Sequence, residues 1–155
     1  MHIDVVDPAH PHAQFCLEQY YGELNDRFAS GFDPARSRAV GLDEVREPSG
    51  VFLVATRHGE PVGCGALKFH ADEPAEIKRM WVASTARGFG LGKRLLADLE
   101  ARAAARGVRR VRLDTNASLR EAIEMYKSAG YVEIAPYNDE PYADFWFEKQ
   151  LSRNE

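Results

Sequence analysis

Between Glu76 and Leu99 the chain runs from Glu76-Ile77-Lys78-Arg79-Met80-Trp81-Val82 through a short polar turn and three glycines. Gly88, Gly90 and Gly92 then lead into a leucine-striped segment. The order is strand, glycine-rich loop, helix. A helix start leaves its first N–H groups without intrahelical partners and carries partial positive charge, so it draws phosphate. Glycines let the main chain approach such an anion with no Cβ in the way.

Two familiar phosphate loops do not fit. A P-loop needs a Gly five residues before the Gly-Lys pair and Ser or Thr after it, where this chain has Arg87 and Arg94. A dinucleotide fingerprint Gly-x-Gly-x-x-Gly fails from Gly88, where the last position is Lys93, and from Gly90, where it is Leu95. Bulk properties narrow the field further. At 155 residues, 45% hydrophobic and 28% charged, the chain reads as one globular domain, 1–155, with a substantial core. Its net charge of −4 speaks against a general nucleic-acid binder. No apolar run approaches the ~20 residues of a membrane span, and the first residues lack a basic-then-apolar leader, so a cytoplasmic setting is expected. Cys16 and Cys64 are too few for a disulfide framework and read as buried thiols. His10 and His12 read as a solvated helix entry, and no metal is expected.

Taken in order, Ile3 to Val6 predicts a first strand. A helix follows from Pro11, with Phe15, Leu17, Tyr20, Tyr21, Leu24 and Phe28 at helical spacing and Gly31 at its end. A second short helix is expected over 35–45. Residues 51–56 and 62–69 read as a hairpin, and 75–82 as the next strand. In that strand, alternation puts Glu76, Lys78, Met80 and Val82 on one face and Ile77, Arg79 and Trp81 on the other. A helix over 90–106 aligns Leu91, Leu95 and Leu99, and Gly107 stops it. Residues 108–116 alternate as a strand. Ser118 and Glu121 predict a capping box for a helix to Ser128. Strands over 131–134 and 143–149 complete the chain.

Arg87-Gly88-Phe89-Gly90-Leu91-Gly92 spells Arg-x-x-Gly-x-Gly directly after the Glu76–Val82 strand. With the element order β-α-α-β-β-β-α-β-α-β-β, it resembles the acetyl-CoA loop of the Gcn5-related N-acetyltransferase (GNAT) superfamily, over nearly the whole chain. The resemblance implies an α+β, three-layer fold: a mixed, mostly antiparallel sheet of about seven strands with about four helices. It implies acetyl-CoA as cosubstrate and acetyl transfer to a primary amine by direct attack in a ternary complex. Main-chain N–H groups of Gly88, Phe89, Gly90, Leu91, Gly92 and Lys93 would meet the pyrophosphate, with Arg87 and Lys93 adding charge. Met80, Trp81 and Val82 would pair with the pantetheine arm along an open strand edge. The N–H of Val82 would polarise the thioester carbonyl, and Asn116 would contact the arm. Tyr126 would protonate the departing thiolate, which its ordinary pKa near ~10 permits.

Glu76 matches the general-base glutamate of the histone-acetylating branch. Two alternatives stand beside it: an ion pair with Lys78, and a water chain as the base. The resemblance assigns acceptor recognition to Arg27, Phe28 and Phe32 in the region of the first two helices, and to Tyr137, Asn138 and Asp139 before the last strand. Asp139 and Glu140 suit an ammonium and Arg27 a carboxylate, so the expected acceptor is an amine-bearing small molecule or peptide. Nucleic-acid and membrane partners are not expected, and a homodimer is implied by family habit. A non-catalytic acyl-CoA sensing module of the same fold is the alternative.

Overall fold

Short β-branched and aromatic runs, cut by Pro and Gly, make strands here, and the four-spaced leucines make a helix that covers them. The computed structural model describes residues 1–37, 41–71 and 74–151. In chain order they form β1 (His2–Val5), α1 (Pro11–Arg27), β2 (Gly50–Arg57), β3 (Glu60–Lys68), β4 (Ala75–Val82), α2 (Leu91–Ala105), β5 (Arg110–Thr115), α3 (Arg120–Ser128), β6 (Val132–Ile134) and β7 (Phe145–Gln150). One seven-stranded sheet has the order β1-β2-β3-β4-β5-β7-β6. Every neighbouring pair is antiparallel except β4 and β5, which are parallel.

Helices cover both faces. Ala13, Cys16 and Leu17 of α1 pack on Phe52, Val54, Cys64, Ala66 and Trp81. On the other face α2 buries Leu91, Leu95 and Leu99 as the stripe predicts, with Leu96 and Ala103 beside them. Leu99 is wholly buried. Leu99→Ala should lower unfolding free energy by about 2–5 kcal/mol, the usual range for a leucine cavity, read from the midpoint of a urea titration.

Three expectations need correction. The helix over 35–45 is absent as such: single 3₁₀ turns occupy Pro34–Arg36 and Leu42–Val45, and residues 38–40 lie outside the described residues. Asp33 caps the first turn through the Ala35 N–H, but Ser37 is already extended at ψ 159° and Gly41 is extended before the second turn. The described residues thus hold three α-helices rather than about four. The capping box also does not form. Leu119 occupies the N-cap of α3 without a side-chain bond, Ser118 Oγ donates to Asn116 Oδ1 at 2.8 Å, and Glu121 turns toward Arg27.

The third correction concerns β4. Cys64 pairs with Trp81 but Ala66 with Lys78, so three steps of β4 span two of β3. Arg79 absorbs the extra residue with φ of 56°. One inserted residue reverses the alternation beyond it. Glu76 and Lys78 therefore share a face with Trp81, which packs under α1, while Met80 and Val82 pack on the α2 side with Ile77. Gly65 leaves the room for Met80: a Cβ there would lie 2.6 Å from Met80 Sδ.

Candidate functional site

The same bulge precedes a division of the sheet. β5 pairs with β4 only at Ala75–Val111 and Glu76–Arg112, and no pairing follows toward Val82 among the described residues. The side of β4 that β5 vacates borders two cavities. The larger, about 390 Å³, is bounded by Met80, Trp81 and Val82, by the loop from Arg87 to Lys93, and by α1 and α3. The smaller, about 110 Å³, lies between α1, β4, β5, α3 and the β6–β7 loop. They share Tyr20, Leu24, Met80, Leu119 and Ala122.

In the larger cavity the loop has the form that an anion needs. Gly88 and Gly90 take φ of 88° and 74°, a region costly for any residue with a Cβ, and a Cβ on either would meet nothing within 4 Å. Gly90 is the N-cap of α2 and no side chain caps it, which leaves the first N–H groups of the helix open. Phe89, by contrast, is 66% exposed and stands outside the cavity lining. Val82 is oriented by its neighbours. The Ala83 N–H donates to Val62 O at 2.8 Å, which makes Val62–Ala83 a hydrogen-bonded pair and Gly63–Val82 the alternate, non-bonded one. Val82 consequently turns its N–H and C=O away from β3, toward the side β5 has left.

Both arginines at this cavity are already paired with protein. Arg87 holds Glu23 and reaches Val82 O through Nε at 3.3 Å. Arg27 was expected at the acceptor, but it lines the larger cavity and spans from α1 to α3. Its two terminal nitrogens reach Glu121 at 2.7 and 3.1 Å, and Nη2 also donates to Ser118 O at 2.8 Å. Lys93 lines the cavity and is exposed.

Tyr126 lines the smaller cavity from α3, its ring packed against Tyr131 and Phe147. Among the described residues no hydrogen bond engages its hydroxyl. Burial, and then the charge of Asp114, raise that hydroxyl above its ordinary pKa. Asn116 lines the same cavity with its amide committed: Nδ2 donates to Tyr142 O at 2.7 Å, and Oδ1 accepts from Ser118 N and Oγ. Phe28 and Phe32 are in the wall, where Tyr21, Phe28, Phe32 and Tyr142 form one set of touching rings.

Glu76 sits elsewhere. It is 8% exposed and outside the residues lining either cavity. Its carboxylate meets His70 Nε2 at 2.7 Å and Lys78 Nζ at 3.3 Å, and accepts from Tyr137 Oη at 3.2 Å. Burial works to raise this carboxyl, but the Lys78 charge and the hydrogen bonds from His70 and Lys78 outweigh it and hold it below the ordinary value. That arrangement matches the ion pair with Lys78. A carboxyl lowered in the folded state adds stability above its unfolded value of 4.5 and loses it as the pH falls through the folded value. Glu76→Gln should therefore cost about 1–3 kcal/mol at neutral pH, with the deficit shrinking below pH 4.5 in urea titrations at stepped pH.

The remaining acceptor candidates are dispersed. The Tyr137 ring lies under the Arg112 guanidinium at 4.0 Å, outside the cavity lining. Asn138 donates to Asp114 Oδ2 at 2.9 Å and accepts from Trp146 Nε1 at 2.9 Å. Asp139 is exposed and lines neither cavity. What the sequence reading missed is Asp114, together with Tyr20 and Tyr21 as wall residues. The available signal was an acidic residue, Asp114, on an interior strand two positions before Asn116.

Matches to known proteins follow the same geometry. The acetyltransferase (GNAT) family model matches residues 17–131. An IAA acetyltransferase of Azospirillum brasilense is 36% identical over 143 residues, 89% of this chain and 92% of that protein. Among solved structures, a GNAT-family acetyltransferase from Staphylococcus aureus Mu50 is similar with a TM-score of 0.79 at 17% identity, covering 97% of this chain and 100% of that one. An aminoglycoside 6′-N-acetyltransferase complexed with coenzyme A is similar with a TM-score of 0.70 at 19% identity, covering 100% and 99%. The fold is thus shared with these two solved structures, and the chain belongs to the GNAT family of acetyltransferases.

Proposed function

We propose that this protein transfers the acetyl group of acetyl-CoA to a primary amine by direct attack, with both substrates bound at once. The observation that carries this reading is the meeting of two cavities at Met80, one bordered by the open glycine loop and the other by Tyr126. The larger cavity fits the cosubstrate: Gly88 and Gly90 face open space, its helix start is uncapped, and β4 lacks a partner strand alongside toward Val82. Loop amides from Gly88 to Lys93 would hold the diphosphate, and main-chain groups of Met80, Trp81 and Val82 the extended arm. Val82 N–H would polarise the thioester carbonyl. Tyr126 would donate to the sulfur as it leaves. Support also comes from a fold neighbour whose structure holds coenzyme A.

Acceptors differ across these relatives, one named for IAA and others for aminoglycosides, so the amine has to be read from local lining. Calorimetry with CoA and a thiol-release assay over a panel of amines test the reading together. Binding below millimolar cofactor with turnover of at least one amine is the expected result. No association at millimolar CoA would overturn it, and binding without turnover on any amine would leave an acyl-CoA sensing module.

A further inference from the structure

The smaller cavity contains a carboxylate with one oxygen to spare. Asp114 lies near the end of β5, on the face opposite Val111, Leu113 and Thr115. Asn138 grips Oδ2 and is itself oriented by the Trp146 indole, so the carboxylate is held in a fixed pose. Among the described residues, no hydrogen bond engages Oδ1. Other charges line the cavity with Asp114: Lys78, engaged with Glu76; Glu140, engaged with Ser37 Oγ at 2.5 Å and Tyr142 N at 3.1 Å; and Arg79 on β4. Opposite stands the ring wall, with Tyr21 and Phe32 stacked at 5.7 Å and 10°, and Tyr142 4.8 Å from Phe32.

Resting on the acetyl-transfer reading above, we propose that Asp114 receives the acceptor's ammonium and takes its proton, and that the ring wall selects amines borne on a short chain from a flat apolar body. A half-buried carboxylate held by Asn138, lining the same cavity as Tyr126, is placed for that exchange. A space of about 110 Å³ is smaller than the ~150 Å³ cavity that binds benzene, so it admits an ammonium, its chain and part of one ring. Among the described residues the ring wall holds no cation, and the carboxylate of a free amino acid, borne on the same carbon as its ammonium, would fall beside Asp114, which sets free amino acids at a disadvantage.

The step balances. Asp114 accepts one proton from the ammonium and passes it to solvent. The nitrogen lone pair forms the C–N bond while the C–S bond of the thioester breaks. Tyr126 gives its proton to the thiolate and regains one from the same nitrogen. Burial raises the Asp114 carboxyl above its ordinary value against the opposing Lys78 charge and Asn138 hydrogen bond, with Glu140 and Glu76 adding to the rise. Among the described residues, those groups, with Arg79 from β4, Tyr20 and Tyr21 from α1, Tyr126 from α3, and Tyr137 and Tyr142 from the β6–β7 loop, are the titratable and charged side chains around it.

The test uses wild-type enzyme, Asp114→Asn and Phe32→Ala, with 2-phenylethylamine, propylamine, phenylalanine and spermidine as probes. Expected for wild type is a kcat/KM for phenylethylamine at least about tenfold above the other three. Asp114→Asn should lower kcat/KM by about 10²-fold at neutral pH and abolish the acid limb of its pH profile, with CoA affinity unchanged by calorimetry. Phe32→Ala should shrink the ratio of phenylethylamine to propylamine. An Asp114→Asn enzyme that keeps the acid limb and binds CoA normally overturns the Asp114 assignment while leaving acetyl transfer standing. A preference for phenylalanine or spermidine overturns the substrate class. No turnover by the wild type with any amine sinks the acetyl-transfer reading, and this one with it.

Discussion

Tyr126→Phe should lower kcat by about 10²-fold while CoA affinity and stability stay close to wild type. The substitution removes one oxygen and keeps the ring, so packing against Tyr131 at 5.8 Å and Phe147 at 6.4 Å persists. The hydroxyl has no hydrogen-bond partner among the described residues, so its loss orphans nothing in the protein. The effect falls on the sulfur that leaves. Because burial and then Asp114 raise the Tyr126 hydroxyl, it stays protonated through neutral pH, but it is also a weak acid beside a thiol of ordinary pKa ~8.5. Complete proton transfer ahead of bond cleavage is uphill, so donation tracks the departing charge, and the lower end of the 10²–10⁴ range is the one to expect. The raised value further predicts that no basic limb from Tyr126 enters the wild-type profile below pH 10. Stopped assays of both enzymes at saturating amine decide it, and a Tyr126→Phe enzyme within threefold of wild type removes the residue from the chemistry.

What the sequence disclosed about the fold was the part written in local periodicity. The four-spaced leucines of α2, Pro11 at the start of α1 and the turn after Arg57 are properties of short stretches, and each stands where it was expected. The 35–45 helix failed because its composition permits a helix while the caps on either side turn the chain into extended backbone at Ser37 and Gly41. The bulge at Arg79 was invisible for a different reason. Nothing in Lys78-Arg79-Met80 marks an αL residue, and the demand comes from across the strand, where Gly65 and α2 make room for Met80.

The site divides along the same line. Main-chain geometry was legible: a glycine loop at a helix start, an open strand edge and the outward-turned amide of Val82 depend on backbone path, and the motif fixes that path. Side-chain functions depend on which long-range partner arrives first. Arg27, Asn138 and Tyr137 have the right chemistry for an acceptor, yet Glu121, Asp114 and Glu76 respectively take them. Asp114 gained its place through the opposite process, since Asn138 occupies one oxygen only.

Gly50→Ala should be the most damaging single methyl in the chain. Its sequence context, Pro48-Ser49-Gly50, suggests a turn residue chosen for flexibility, but the structure shows a residue chosen for size. A Cβ at Gly50 would stand 2.3 Å from Glu44 O, 2.3 Å from Leu67 O and 2.8 Å from Val45 Cα. All three are main-chain atoms, so no rotamer change relieves them. Gly50 also begins β2 opposite Lys68 and donates its N–H to Arg46 O at 3.1 Å, which pins it from a third side. Relief requires moving the Leu42–Val45 turn off the sheet and uncovering Val45, a wholly buried residue. The expected loss exceeds about 4 kcal/mol, a large fraction of the ~5–15 kcal/mol that holds a domain folded. Gly22→Ala is the control: in mid-α1, with nothing within 4 Å of the new methyl, it should stabilise by about 0.5–1 kcal/mol. Urea midpoints moving in opposite directions for the two alanines would establish that contact, rather than chain flexibility, dictates glycine at position 50.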